Sequence, residues 1–496
     1  MLFTTGRFLL LFLPITLALF FLLGRLQRKG FAAGLLVVAS LYFYASWRPI
    51  HVWLLLASIG ANYYFGGLIA KLRPTDARAA HNVMLCAVAA NLATLGFFKY
   101  FDFVVGSVNS LLGTTVPLAH IALPLGISFF TFTQIAYLVD VARGKAIERS
   151  GLRYMLFVTY FPHLVAGPVL HHAQMMPQFR RREVYFPHAV HLAEGMAFIV
   201  IGMIKKVIVA DGFAPTANAV FNAAEHGAVP SIAAWSGIIA YALQIYFDFS
   251  GYSDMAIGLS RLCNIQLPYN FNSPYKARSI IDFWRRWHMT LSAFLRDYLY
   301  IALGGNRRGP VRRYVNLLLT MLLGGLWHGA SWTFVAWGGL HGLYLIINHG
   351  WHWTRQRLGL FPSPGRVARI SGSAAGLALT LLAVLFAWIF FRASTFSGAA
   401  RMIDALAMPS RMAHPVAQTL DLTWWSCAAA AILIALLLPN SQEIIDAAFS
   451  PRLDRLKPGR KAAVAGLIVG VSIVVAILAV LISQSRDVTE FIYFNF

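Results

Sequence analysis

Acids and thiols are scarce in this chain. Of its 496 residues only 19 are Asp or Glu and three are Cys, and charged residues of both signs make up 12%, about half the share found in soluble globular proteins. Cys86, Cys263 and Cys427 lie far apart without a CxxC pair, which excludes a disulfide framework and a thiolate metal site and leaves them as packing residues. There is no Gly-x-Ser-x-Gly elbow and no candidate Ser-His-Asp spacing, so the usual hydrolase nucleophiles are missing. No stretch between the apolar runs is long enough to fold alone, and neither an internal repeat nor a low-complexity linker is present. Residues 1–496 therefore read as one polytopic membrane domain, with the informative motifs within 240–350.

What the chain has instead is apolar surface. Residues of the set AVILMFWYC make up 58% of it, against roughly 45–50% in a soluble chain, so most of that surface must face lipid. Lys and Arg number 41, which gives a formal net charge of +22. These basic residues sit in short loops between apolar stretches, as positive-inside topology and contact with anionic headgroups require. No basic face with interleaved aromatics lies outside the membrane segments, which argues against a nucleic-acid partner.

A helix needs about 20 largely apolar residues to cross the hydrocarbon layer. Stretches without Lys, Arg, Asp or Glu recur at 31–47, 51–70, 81–98, 103–139, 154–179, 226–247, 314–354, 370–391, 422–442 and 462–485. The apolar run 8–23 follows one arginine, precedes Arg25, Arg28 and Lys29, and has no small-residue cleavage site, so it reads as an uncleaved anchor. With 314–354 long enough for two passes, the expected fold is an all-α integral membrane protein of about 11–13 helices. The early loops carry 3, 1, 3, 1 and 4 basic residues, which places the odd loops in the cytoplasm and the amino terminus outside. Pro117 and Pro124 mark a break or re-entrant turn within 103–139, and Pro162 with Gly167-Pro168 marks another within 154–179.

The chemistry-bearing motifs are histidines. Ser279-Ile-Ile-Asp282 has the form of a capping box, followed by an aromatic run. Read as one helix, Trp284, Trp287, His288, Leu291 and Leu295 share a face, and Arg285, Ser292 and Arg296 share another. That helix is expected along the inner membrane surface, rings down and guanidiniums toward water. It ends at Gly304-Gly305-Asn306, and Arg307, Arg308, Arg312 and Arg313 extend the basic edge. Lipid anchoring alone accounts for the arginines as well as ligand binding does. It fits His288 less well, because an imidazole on the apolar face needs a buried partner.

Downstream, Gly324-Gly325-Leu-Trp327-His328-Gly329 lies inside a 41-residue stretch without Lys, Arg, Asp or Glu, where histidine is the candidate acid or base. The glycines permit close approach of a ligand or of a second backbone, and an intramembrane ionisable group is a functional candidate. His341 falls about 220° around the helix from His328 and is secondary. A histidine pair without carboxylate or thiolate is short of ligands for a closed zinc site but suits proton abstraction near neutral pH. The nucleophile is then a hydroxyl of the substrate. Asp248 and Tyr252, one turn apart, and Asp254 read as an interhelical polar network or an acid-base pair. His163, His171 and His172 lack the i, i+4 spacing of a helical metal site, and Lys205-Lys206 reads as a snorkelling pair.

The run from Phe283-Trp-Arg-Arg-Trp-His288 through Asp297 to Asn306, followed by Gly325-Leu-Trp-His328-Gly-Ala, resembles the membrane-bound O-acyltransferase (MBOAT) family. The likeness is to its bacterial branch, which includes the alginate O-acetylation membrane subunit and the teichoic acid D-alanylation protein. It extends through 248–258, 161–168 and the terminal 491–496. The resemblance implies a ring of tilted helices, with re-entrant and interfacial helices, around a thin centre where a cytoplasmic donor and an outward-facing acceptor meet in one tunnel. It implies His328 as the catalytic histidine and His288 as the second functional position.

On that basis His328 takes the proton of an acceptor hydroxyl attacking a thioester, and His288 orients the donor or polarises its carbonyl. Arg285, Arg286, Arg307 and Arg308 attract the phosphates of coenzyme A or the acidic face of a carrier protein. The implied activity is transfer of an acetyl group from acetyl-CoA or an acyl-carrier thioester, with no permanently bound cofactor and no metal. The acceptor is an exported polysaccharide such as alginate, reached across a bacterial inner membrane with periplasmic acetyltransferase partners. Peptidoglycan, teichoic acid or a lipid as acceptor remain alternatives, and a proton-coupled transporter is the alternative of another class.

Overall fold

The structure is a computed structural model that describes residues 1–359, 366–408, 420–449, 458–484 and 491–492. Every regular element among these is helical. Six described helices are long and apolar enough to cross a membrane, and a seventh span results if Leu422–Leu437 and Ser441–Phe449 count as one. Several of the other charge-free stretches form shorter or broken helices, because freedom from charge does not guarantee an unbroken apolar helix. Lys29–Ala45 and Ile127–Ala142 have only 17 and 16 residues, and 154–179 is divided among short helices.

The described chain divides into two compact units. The first comprises Met1–Val207, Gly251–Tyr269 and Glu443–Glu490. In it the helix Ala189–Met203 lies against the second part of Ser231–Leu262 at two reciprocal glycine contacts. A Cβ on Gly195 would stand 2.7 Å from the Gly258 carbonyl, and one on Gly202 would meet Gly251 O at 2.5 Å. Such backbone proximity is how helices gain packing where lipid supplies no hydrophobic drive. Lys205 bonds Asp254 at 2.6 Å and Lys206 is buried, so this pair belongs to the protein interior and does not snorkel.

Polar side chains close the same unit elsewhere. Asn62 and Asn91 exchange amide hydrogen bonds of 3.0 and 2.7 Å, and Gln134 donates to Ser58 at 2.9 Å. Between Leu112 and Ile127 the chain is not helical, where Pro117 and Pro124 predict a break. Asp102 accepts the N–H groups of Ala119 and Ile121 there. Residues 161–170 are buried and only Phe161–Leu164 is helical, in keeping with a re-entrant loop. Its histidines have separate partners: His163 Nε2 lies 3.0 Å from the Phe157 carbonyl, His171 is 3.7 Å from Asp140 and His172 is 3.4 Å from Glu148. Among the described residues no three His, Cys, Asp or Glu side chains are grouped to hold a metal ion.

The second unit comprises Ile208–Ser250, Asn270–Gln442 and Phe491–Phe496. At its centre is a hairpin of Gly309–His328 and Trp332–Arg357. A Cβ on Gly325 would overlap the Phe334 carbonyl, one on Gly338 the Met321 carbonyl, and one on Gly329 the Phe334 ring. Of the two uses open to the Gly325 and Gly329 motif, close approach to a second element of the chain is the one observed. Ile370–Arg392 packs on this hairpin and supplies Trp388 and Phe391, both buried.

Candidate active site

The segment from Ser279 to Gly305 is not one helix. Ser279 caps Ile280–Trp284 by accepting the Asp282 N–H at 3.1 Å, as the capping box predicts, but the helix stops after five residues. His288 has φ +43°, and Met289–Phe294 begins after it. A non-glycine residue in the left-handed region costs about 1–3 kcal/mol and persists only where its surroundings enforce it.

Asn270 is that enforcement. Its carbonyl accepts the Met289 N–H at 2.9 Å. Its Oδ1 accepts the Thr290 N–H at 3.3 Å and the Thr290 hydroxyl at 2.9 Å, and lies 3.1 Å from His288 Nδ1. The face shared by Trp284, Trp287 and His288 in a continuous helix is therefore absent. The rings do not lie on lipid either. Trp287 is 1% exposed and packs on Phe283, Phe271 and Trp388 at centroid distances of 5.6, 5.1 and 5.0 Å.

These contacts fix the tautomer of His288. A backbone N–H can only donate, so the Asn270 atom facing Thr290 must be the amide oxygen, and His288 Nδ1 must carry the hydrogen. The neutral ring then presents a lone pair at Nε2. An acceptor there cannot polarise a carbonyl, which needs a donor. It can hold or receive a proton.

His328 is the last residue of Gly309–His328, where the helix gives way to the extended Gly329. Its ring lies 6.4 Å from that of His288, so the fold brings the two predicted histidines together from elements 40 residues apart. The shell around them is aromatic. Trp327, Trp337 and Phe391 stand 5.0, 5.1 and 5.1 Å from His328, and Phe249 stands 4.7 Å from His288. His328 is 3% exposed and His288 0%. An apolar cavity of about 480 Å³ is lined by Trp235, Tyr344, Phe386 and Ile389; Tyr344 touches His341, at 5.7 Å.

The angle of about 220° holds for one continuous helix, but the chain reverses between His328 and His341 at residues 329–331. Both rings touch Trp337, which lies 4.8 Å from His341. Asn270, Trp337 and His341 are the members of this cluster that periodicity did not single out. The i, i+4 spacing of Trp337 and His341 on one helix face was the available signal.

The basic edge is mixed. Arg286 donates to Asp282 at 2.8 Å and to the Asn272 carbonyl at 3.3 Å. Arg285, Arg307 and Arg308 are exposed. The turn holding the latter two has Gly304 at φ +108° and Gly305 at φ +55°, and Asn316 pins it by donating to the Gly305 carbonyl at 2.9 Å. The Asp248 carboxylate accepts the Ile492 N–H at 2.9 Å. That clamps the start of the terminal motif, whose residues 493–496 lie outside the described set, beside Phe249.

Comparison with known proteins gives the family of the chain. Residues 41–377 match the family described as MBOAT, membrane-bound O-acyltransferase family. The chain is 39% identical over 434 residues to a peptidoglycan O-acetyltransferase of Helicobacter pylori, covering 82% of this chain and 80% of that one. It is 42% identical over 412 residues to the probable alginate O-acetylase AlgI of Pseudomonas aeruginosa, covering 82% and 75%. A teichoic acid D-alanyltransferase of Streptococcus thermophilus is 27% identical over 289 residues, covering 54% and 68%. With its two motif histidines adjacent inside a body of apolar helices, the chain belongs to the membrane-bound O-acyltransferase family and is a multi-pass membrane acyltransferase.

Proposed function

We propose that the protein resides in a bacterial inner membrane and moves acetyl groups from a cytoplasmic thioester, acetyl-CoA or an acyl carrier, to a hydroxyl of an acceptor on the outer side, for O-acetylation of an exported polysaccharide such as alginate. The observation that carries this reading is the buried His288–His328 pair, 6.4 Å apart, in a chain similar to both alginate and peptidoglycan O-acetylating proteins. His328 takes the hydroxyl proton as the oxygen attacks the thioester carbonyl and returns it to the departing thiolate. His288, with its lone pair at Nε2, orients the hydroxyl by accepting a hydrogen bond. Arg285, Arg307 and Arg308 offer cations to the donor's phosphates, and Arg286 holds the Asp282 turn beside them. Periplasmic acetyltransferase proteins complete the transfer to polymer, and no metal or permanently bound cofactor takes part.

Membrane vesicles carrying the protein and its partners, supplied with labelled acetyl-CoA, test this. His328→Ala at matched expression should abolish label transfer to the envelope polysaccharide while the protein stays folded; unchanged turnover would exclude the proposed base. Peptidoglycan is a second acceptor that the 39% identity supports, and digestion of the labelled polymer with a muramidase or an alginate lyase separates the two.

A further inference from the structure

If His288 presents an acceptor, the thioester carbonyl needs its donors from elsewhere. His341 is fully buried, and the Trp284 indole N–H donates to its Nδ1 at 3.2 Å. An indole N–H is donor only, so Nδ1 must hold the lone pair and the neutral ring carries its hydrogen on Nε2. That Nε2 has no hydrogen-bond partner among the described residues, and the same holds for the indole nitrogen of Trp337, a residue with 0% exposure. Two fully buried donors thus lie four residues apart on the helix Trp332–Arg357. Trp337 contacts His341 at 4.8 Å and His328 at 5.1 Å. Leaving a buried donor unmet is costly, and two such donors beside a candidate base mark where a ligand oxygen belongs.

We infer that His341 Nε2–H and Trp337 Nε1–H form the oxyanion site of the acyl-transfer reaction and bind the carbonyl oxygen of the thioester. This rests on the acyltransferase reading above and gives the third histidine a role opposite to those of the other two. As the acceptor oxygen bonds to the carbonyl carbon, the π electrons move onto the carbonyl oxygen, and the two N–H groups stabilise that charge. When the C–S bond breaks, the oxygen re-forms the carbonyl and the thiolate takes the proton from His328. The donors neither gain nor lose a proton. Their preorganisation in an apolar shell is what gives such a site its effect.

The test compares His341→Phe, which keeps the ring shape and removes both nitrogens, with His341→Gln, whose amide can accept from Trp284 and still donate. In vesicles given acetyl-CoA, His341→Phe should lower kcat about 100- to 1,000-fold, the loss typical of one oxyanion donor, with a smaller change in KM, and His341→Gln should recover a substantial part. Trp337→Phe should behave like His341→Phe. Equal losses in His341→Phe and His341→Gln, or kcat within threefold of the parent in His341→Phe, would overturn the assignment.

A second measurement separates this from the wider reading. In His328→Ala, carbonyl-labelled acetyl-CoA should show a lowered C=O stretching frequency on binding, and adding His341→Phe should move the band back. An unmoved band with His328→Ala inactive defeats the oxyanion site alone. An active His328→Ala defeats the proposed base.

Discussion

The Asn270 clamp makes an outcome calculable. Asn270→Ala removes the shared acceptor of His288 Nδ1, the Thr290 N–H and the Thr290 hydroxyl. The hydroxyl can rotate, but the ring and backbone donors cannot, and each costs about 1–3 kcal/mol when left unmet in a buried site. The variant should therefore lose roughly 2–6 kcal/mol, enough to unfold a marginal protein. Asn270→Asp is the sharper perturbation. It keeps an oxygen in place for all three donors and adds a negative charge 3.1 Å from the imidazole.

At an effective dielectric near 20, a charge pair at that distance is worth about 5 kcal/mol in favour of the imidazolium. Burial of the new carboxylate takes back several kcal/mol. A remainder of about 1.4 kcal/mol raises the ratio of imidazolium to imidazole tenfold. Nε2 then becomes a donor, and a site that needs its lone pair fails. The expectation is slower acetyl transfer at pH 7 in vesicles, recovered in part as pH rises, with a melting curve close to that of the parent. A folded Asn270→Asp protein that transfers acetyl groups as fast as the parent, or faster, would show that His288 acts as a donor and refute the tautomer argument.

Two further outcomes follow from packing and charge. Gly325→Ala or Gly338→Ala places a methyl on an opposing carbonyl and should destabilise the hairpin by about 1–3 kcal/mol or more; Gly339→Ala, whose Cβ would meet only Leu322 Cδ2 at 3.4 Å, should melt like the parent, and equal melting of all three would remove the packing argument. Glu148 is buried, which raises a carboxyl, but the His172 ring, the Ser150 N–H and Arg153 outweigh this and hold it below the usual carboxylate range. Its contribution is therefore complete at neutral pH and is lost as pH falls from about 4.5 through the lower folded value. Glu148→Gln should flatten the acid limb of a melting-temperature profile, and an unchanged limb would mean that Glu148 is not its source.

The helical class and the two central histidines were legible because they rest on composition and short motifs. The charge-free stretches located most of the helices, and Pro117, Pro124, Pro162 and Gly167-Pro168 located the breaks. What periodicity could not reach was the backbone reversal at His288. A left-handed residue inside an apparent amphipathic run leaves the hydrophobic pattern intact while moving every later side chain to a new direction. The trigger for that reversal, Asn270, lies 18 positions upstream in a loop, where no repeat points to it. The place of His341 is hidden for a related reason: a helical angle does not carry across the turn at 329–331. In both cases local periodicity ends where the chain turns back on itself.

The aromatic shell bears directly on the chemistry. A thioester facing water can be hydrolysed, so an acyltransferase must keep water from the carbonyl until the acceptor hydroxyl is seated. His288 and His328 are nearly or wholly shut from solvent, and the rings that enclose them are themselves tied together. Trp337 stacks on Trp388 at 5.9 Å and meets His328, His341, Trp284 and Phe391. Each hydrogen bond made inside such a shell is electrostatically stronger than in water, which raises the value of a fixed lone pair on one ring and a fixed N–H on another. On the proposed mechanism, the partners that fix those tautomers, Asn270 for His288 and Trp284 for His341, are as necessary to the division of labour as the imidazoles, since imidazoles left to choose their own tautomers would supply neither a defined acceptor nor a defined donor.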